Sequence, residues 1–373
     1  MSQGCRCLCA LALVLSSSAA FRADGQAPVG SEFAVAFDLL YHADSPAAAM
    51  STNGSFVVVW ESYSYSSPSG RDIAAQRYSS AGTPLAGFMV AGGNGTDSQP
   101  AVTSDAAGNF VVAWRGPYPG GYKVFAQRYS SAGDALGGRI QVTFVASLSH
   151  DPDLAATAAG DFVVVWRADA TYSVPAGIVA TRFSSSGTPL TGEFAVSTST
   201  SGSQGHPAVA VGPNGDFVVV WEGFSGPTQN IFGRRFSSAG APLGGELRVN
   251  SLTAAASYDP HVVLDSAGNF IVVWRSFGGD GAGNAISARR FSSSGAAIGN
   301  EFVLNAYTTG DQSRPSLAAD PSGDFVAVWE SVGQDAGGVG VFGRRFSSSG
   351  TPQGGEFRVN TYTSQNQFIP AVG

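Results

Sequence analysis

The sequence predicts an all-β protein, a β-propeller built from four-stranded antiparallel blades. Three observations carry that expectation: one pattern recurs six times, each copy reads as four short strands, and a long connection separates one copy from the next.

The six tryptophans, Trp60, Trp114, Trp166, Trp221, Trp274 and Trp329, are spaced 54, 52, 55, 53 and 55 residues apart. A proline stands 14 residues before each, a glycine 6 before and a phenylalanine 4 before, as in Pro207, Gly215 and Phe217 for Trp221. An Arg-aromatic pair follows each tryptophan, from Arg77-Tyr78 to Arg345-Phe346, and a further glycine comes four residues after each aromatic. No tryptophan lies outside this frame.

Within a unit, strand A follows the proline, as in Pro207 to Val211. Strand B, as in Phe217-Val218-Val219-Val220-Trp221, is a continuous run of apolar and β-branched residues, which suits a strand buried on both faces. Strand C alternates, as in Ile231 to Phe236, and strand D is short, as in Glu246 to Val249. An Asp-x-x-Gly turn, Asp265 to Gly268, joins A to B, and a Ser-Ser-x-Gly turn, Ser237 to Gly240, joins C to D. Asp side chains can bond turn backbone, and glycine takes positive φ without cost. The connection from D to the next proline is too long for a hairpin and suits a crossover from one sheet's outer edge to the next sheet's inner strand.

The ends extend the frame. Ser31-Glu32-Phe33-Ala34-Val35 reads as a lone D strand, and Pro370-Ala371-Val372 as a lone A strand. The expected layout is seven-bladed with an incomplete last blade. A six-bladed ring with two extra strands is the alternative. The expected organisation is a signal peptide over residues 1–20, a short linker over 21–30 and a single propeller domain over 31–373. Arg6, the apolar run from Leu8 to Leu15 and the small residues Ser18-Ala19-Ala20 support the signal peptide, hence an exported protein. Cys5, Cys7 and Cys9 all fall inside it, so the mature chain would carry no disulfide and no thiolate chemistry. No stretch reaches the length of a membrane-spanning helix. A net charge of −7 argues against nucleic acid as a partner.

The Phe-Val-Val-Val-Trp motif at 217–221, Arg-Phe-Ser-Ser-x-Gly at 235–240 and Gly-Gly-Glu-Phe-x-Val at 354–359 resemble tandem Trp-containing propeller-type repeats of exported bacterial proteins. The resemblance covers nearly all of residues 31–373. It implies propeller architecture and an extracellular or cell-surface setting, and it implies no activity.

Two sets of residues are candidate ligand contacts. The residue before each proline is the most divergent point of the frame: Ser45, Gln99, Asp151, His206, Asp259, Arg314 and Ile369. A single asymmetric ligand at a channel mouth would need such divergence, so Asp151, His206, Asp259 and Arg314 are assigned to a channel-mouth site. The second set is the strand C arginines, among them Arg235, Arg290 and Arg345, which would bind sugars in a multivalent lectin. The structural alternative is an arginine repeated because the blade is repeated, packed on an aromatic or paired with a carboxylate.

His150, Asp151, His206 and Asp259 raise the question of a metal, but no two share a ligand spacing within one segment, so no metal and no cofactor is expected. Asp280, Asn284 and Asp335 offer oxygen atoms without matching a calcium loop. No nucleophile elbow, P-loop or dinucleotide fingerprint occurs, so no catalytic residue is assigned. The expected function is an exported non-catalytic scaffold for binding or structure, with a glycan or another protein as partner. A lectin is the first alternative, and a polysaccharide-active enzyme with its site at the channel mouth is the second.

Overall fold

The computed structural model describes residues 12–13, 32–35, 42–63, 70–93, 95–144, 148–169, 176–199, 202–252, 255–335, 338–363 and 365–373. The expected signal peptide and linker lie outside the described residues, apart from the backbone of Ala12–Leu13.

Each of the six tryptophan repeats folds into one four-stranded antiparallel sheet with its strands in chain order, A–B–C–D. Blade 4 is typical, with A at Gln204–Val211, B at Phe217–Ser225, C at Thr228–Phe236 and D at Leu247–Arg248. The A strands of successive blades touch one another and surround the axis. The turns form as their residues suggest. In the A–B turn of blade 5, Asp265 Oδ1 accepts the N–H groups of Ala267 and Asn269, and Gly268 sits at φ 77°.

The apolar B strands explain the closed arrangement. Alternate residues of a strand point to opposite faces. Phe217, Val219 and Trp221 pack against Val163, Val165, Ile178 and Val196 of blade 3. Val218 and Val220 face the other way, onto Val262, Phe270, Val272 and Trp274 of blade 5. Every tryptophan is at most 3% exposed. A blade standing alone would expose both of these faces, so each blade is stabilised by its neighbours. The hydrophobic contribution is of the order of 1.5–3 kcal/mol per fully buried large side chain.

The blade count is six, and the seven-bladed expectation is corrected. Its two orphan segments do not build a seventh four-stranded sheet. Ala371–Val372 lies between the inner strands of blades 6 and 1, and its backbone pairs in parallel with Ala12–Leu13. Glu32–Val35 lies beside blade 1, where Phe33 packs on Tyr78 with ring centroids 5.2 Å apart. Val35 joins the core of blade 1 around Trp60, and Val372 joins that of blade 6 around Val328, so two short segments close the ring.

Strand A also begins earlier than the proline. In blade 4 it starts at Gln204, and the register slips between Gly205 and Ala208. A proline has no N–H to give the ladder, so it is tolerated where the ladder is already interrupted by a bulge.

Candidate functional site at the channel mouth

The bulge is where the structure departs most from ordinary backbone. All seven pre-proline residues, Ser45, Gln99, Asp151, His206, Asp259, Arg314 and Ile369, have φ between 43° and 56°. No other described non-glycine residue has positive φ. The left-handed region is unfavourable for L-residues, and a following proline restricts the backbone further. Strain of this kind persists only where the surroundings over-determine it, and it concentrates at functional sites. The bulges sit at the same height on neighbouring A strands, so they form a ring at one end of the axis. The B–C loops and D-to-A crossovers lie at this end. The A–B and C–D turns lie at the other.

Beneath the ring runs a layer from the residue that follows each tryptophan. Three of these are glutamates, each nearly fully buried: Glu61, Glu222 and Glu330. Each accepts the backbone N–H of the next strained residue round the ring. Gln99 donates to Glu61 at 2.8 Å, Asp259 to Glu222 at 2.6 Å and Ile369 to Glu330 at 2.6 Å. The other three are arginines. Arg115 Nε donates to the Ser149 carbonyl at 3.1 Å, Arg167 bonds Asp169 at 2.8 Å, and Arg275 pairs with Asp259 at 3.0 Å while lying over the Tyr258 ring. This choice of Glu or Arg after tryptophan is plain in the sequence, but its meaning is not. The glutamates satisfy the donors of the bulge, and sequence reasoning missed all three.

The four assigned mouth residues fall into three separate bonded groups, and only His206 and Asp259 share a partner, Glu222. Gln99 and Asp151 exchange bonds between blades 2 and 3, with Nε2 to Asp151 Oδ1 at 2.6 Å and Asp151 N to Gln99 Oε1 at 3.1 Å. His206 Nδ1 lies 3.0 Å from Glu222 Oε1, and Arg314 donates to Glu330 Oε1 at 2.9 Å. The Glu222 hydrogen bond, opposed by burial and aided by Asp151 and Asp259, pushes the His206 pKa up to about 9. His206 is therefore an imidazolium at neutral pH. Burial raises Asp259, with Arg275 opposing and Glu222 reinforcing the shift. Asp151, His206, Asp259 and Arg314 alternate acid and base over four successive positions, and Ser45, Gln99 and Ile369 carry no charge, so the mouth offers donors and acceptors side by side without a field of one sign.

Aromatic surface frames this polar ring. Phe224 stands two residues beyond Glu222 on the same strand face, and Phe277 two beyond Arg275. They are 39% and 60% exposed, which is unusual for phenylalanine in a domain whose cores are otherwise closed. Phe144, Leu252 and Tyr362, in the D-to-A crossovers of the same end, are also exposed.

The second candidate set lies at the opposite end. Arg235 Nη1 donates to the Ser294 carbonyl, Arg290 Nη1 to Ser349 at 2.8 Å and Arg128 Nη1 to Ser186 at 2.5 Å. Each acceptor belongs to the C–D turn of the next blade, so these arginines clip neighbouring blades together. Arg235 and Arg290 also border inter-blade cavities of about 190 and 280 Å³, whose phenylalanines, Phe217 and Phe270, are buried. Arg345 holds the equivalent place on blade 6, opposite Val326.

The remaining candidates serve the loops. Asp280 accepts the Ala282 N–H and the Asn305 amide, while Asn284 bonds Asp311. His150 pairs with Asp169 at 3.1 Å, and His42 stacks on Tyr63. Burial pushes His261 down to about 4, so it is neutral. No described helix is long and apolar enough to cross a membrane.

Fold and mouth together define an all-β propeller of six four-stranded blades. No protein-family model and no curated protein matches the chain. Solved structures share its fold. A protein of unknown function from Dyadobacter fermentans is 13% identical with a TM-score of 0.55, over 84% of this chain and 93% of that one. An alpha-L-arabinanase of Penicillium chrysogenum, complexed with arabinobiose, is 16% identical with a TM-score of 0.52, over 80% and 92%. A polysaccharide lyase, an ulvan lyase bound to a saccharide, is 11% identical with a TM-score of 0.56, over 86% of each. At these identities the likeness is one of fold.

Proposed function

We propose that this chain is an exported carbohydrate-binding propeller whose site is the channel mouth. One observation carries the reading: six kinds of side chain occupy the same strained backbone position at seven places around one axis. A purely structural turn has no need of side chains so varied from blade to blade. An asymmetric ligand at the centre of the ring does.

The chemistry favours an uncharged sugar. Alternating acids and bases match hydroxyl groups, which both donate and accept. The exposed rings of Phe224 and Phe277 offer apolar faces to sugar C–H groups. Two neighbours in fold, the arabinanase with arabinobiose and the ulvan lyase with a glucuronate–sulfated rhamnose saccharide, agree with a saccharide ligand, and the first of these is uncharged.

Binding is favoured over catalysis because the acids of the mouth are already engaged. Asp44 accepts the Ser45 N–H, Asp151 holds Gln99, Asp259 holds Arg275, and the glutamates hold backbone donors. A general acid needs a carboxyl free to exchange its proton with substrate. The test is an array of neutral and acidic oligosaccharides probed with the purified protein, paired with an assay for released reducing ends. The expected result is retention of a neutral oligosaccharide class without cleavage. Silence across the array would sink the binding reading, and released ends would replace it with the enzymatic one.

A further inference from the structure

We propose that His206, Glu222 and Asp259 form a binding site for a divalent transition-metal ion of the zinc class. The ligand atoms of these three side chains lie within 4.8 Å of one another. A tetrahedral zinc ion holds ligands about 2 Å from it roughly 3.3 Å apart; His206 Nδ1 and Glu222 Oε1 are 3.0 Å apart, and a small side-chain adjustment draws the trio onto an ion. The residues come from two blades, His206 and Glu222 from blade 4 and Asp259 from blade 5. No local sequence motif could reveal them.

The surroundings suit a metal rather than a passive ion pair. Glu222 is buried and pinned on both oxygens, Oε1 by the Asp259 N–H and Oε2 by the Gln229 amide. Arg275 Nε lies 3.0 Å from Asp259 Oδ2 in an ion pair that holds this carboxylate beside Glu222. Partners of this kind fix ligand orientation and tune affinity. His206 is the exposed member, so a fourth position would open toward solvent at the mouth. One nitrogen and two oxygens form a borderline donor set, which favours zinc over calcium or magnesium.

The inference does not rest on the carbohydrate reading, because zinc is titrated without any saccharide. Purified full-length protein is stripped with chelator and titrated with Zn²⁺ by calorimetry, with bound metal counted after dialysis. The expected result is one equivalent with Kd on the order of 1–100 μM. His206→Ala should weaken it at least roughly tenfold, as should Asp259→Asn, while His150→Ala leaves it unchanged. Circular dichroism of each variant confirms folding. Absence of a stoichiometric ion, or an ion retained equally by His206→Ala, overturns the assignment.

Discussion

The Glu222 carboxylate in blade 4 accepts the backbone N–H of Asp259 in blade 5 at 2.6 Å, and Asp259 is held at φ 52°. The same bond joins Glu61 to Gln99 and Glu330 to Ile369. A buried acid thus satisfies a donor that the bulge takes out of the ladder, and it ties two blades together where the backbone is most strained. Glu222→Ala leaves that N–H and the His206 ring without their acceptor. It should cost about 1–3 kcal/mol of stability, read as a lower urea midpoint with unchanged slope.

Strain at the bulge predicts a gain elsewhere in the ring. Ser45 sits at φ 48°, and its position is not among those assigned to ligand binding. Ser45→Gly relieves about 1–2 kcal/mol of left-handed strain against about 0.5–1 kcal/mol of added chain entropy. Denaturant titration should show a variant as stable as the parent, or more stable by up to about 1 kcal/mol. Arg314→Gly should not share that gain, because it also abandons Glu330.

Phe224 and Phe277 are exposed, so neither holds up the core. Alanine at either position should leave the urea midpoint within about 0.5 kcal/mol of the parent. Oligosaccharide affinity should fall roughly tenfold, equivalent to about 1.4 kcal/mol, by calorimetry.

Arg290 behaves in the opposite sense. Its bond to the Ser349 carbonyl spans blades 5 and 6 at the far end of the axis. Arg290→Ala should lower stability by about 1 kcal/mol and leave saccharide affinity unchanged. Loss of affinity in this variant would favour the lectin reading of the strand C arginines.

Asp153 accepts the Val209 N–H at 2.8 Å, and burial nevertheless pushes its pKa up to about 6, above the ordinary aspartate range. The folded chain therefore binds this proton more tightly than the unfolded chain. The contribution is present at pH 4 and is lost as pH rises to about 6, after which it is flat. Asp153→Asn removes that titration. Stability of the parent relative to the variant should fall by about 1–3 kcal/mol between pH 4 and 6. A difference that stays constant with pH would contradict the shift.

Much of this molecule is legible in its sequence because repetition multiplies a weak signal. One Phe-Val-Val-Val-Trp segment is ambiguous, but six in one register specify a sheet buried on both faces. The pre-proline divergence also marked the seven positions that the structure holds in left-handed backbone. The blade count was harder, because Val35 and Val372 close the ring as single segments and an end strand does not announce whether its sheet is complete. Glu61, Glu222 and Glu330 were visible only as a Glu-or-Arg choice after tryptophan, since their role depends on a bulge that shifts strand A. Asp259 and His206 belong to different repeats, and only the curvature of the ring brings them to one carboxylate.

The most direct test of the channel-mouth site is amide hydrogen exchange of the protein with and without a bound neutral oligosaccharide. Added protection should appear at the strained positions around Asp151, His206 and Asp259 and in the strand ends carrying Phe224 and Phe277. The turns at the opposite end, Ser237 to Gly240 and Asp265 to Gly268, should exchange as before. Protection confined to those turns, beside Arg235 and Arg290, would place the ligand at the wrong end of the axis and contradict the account.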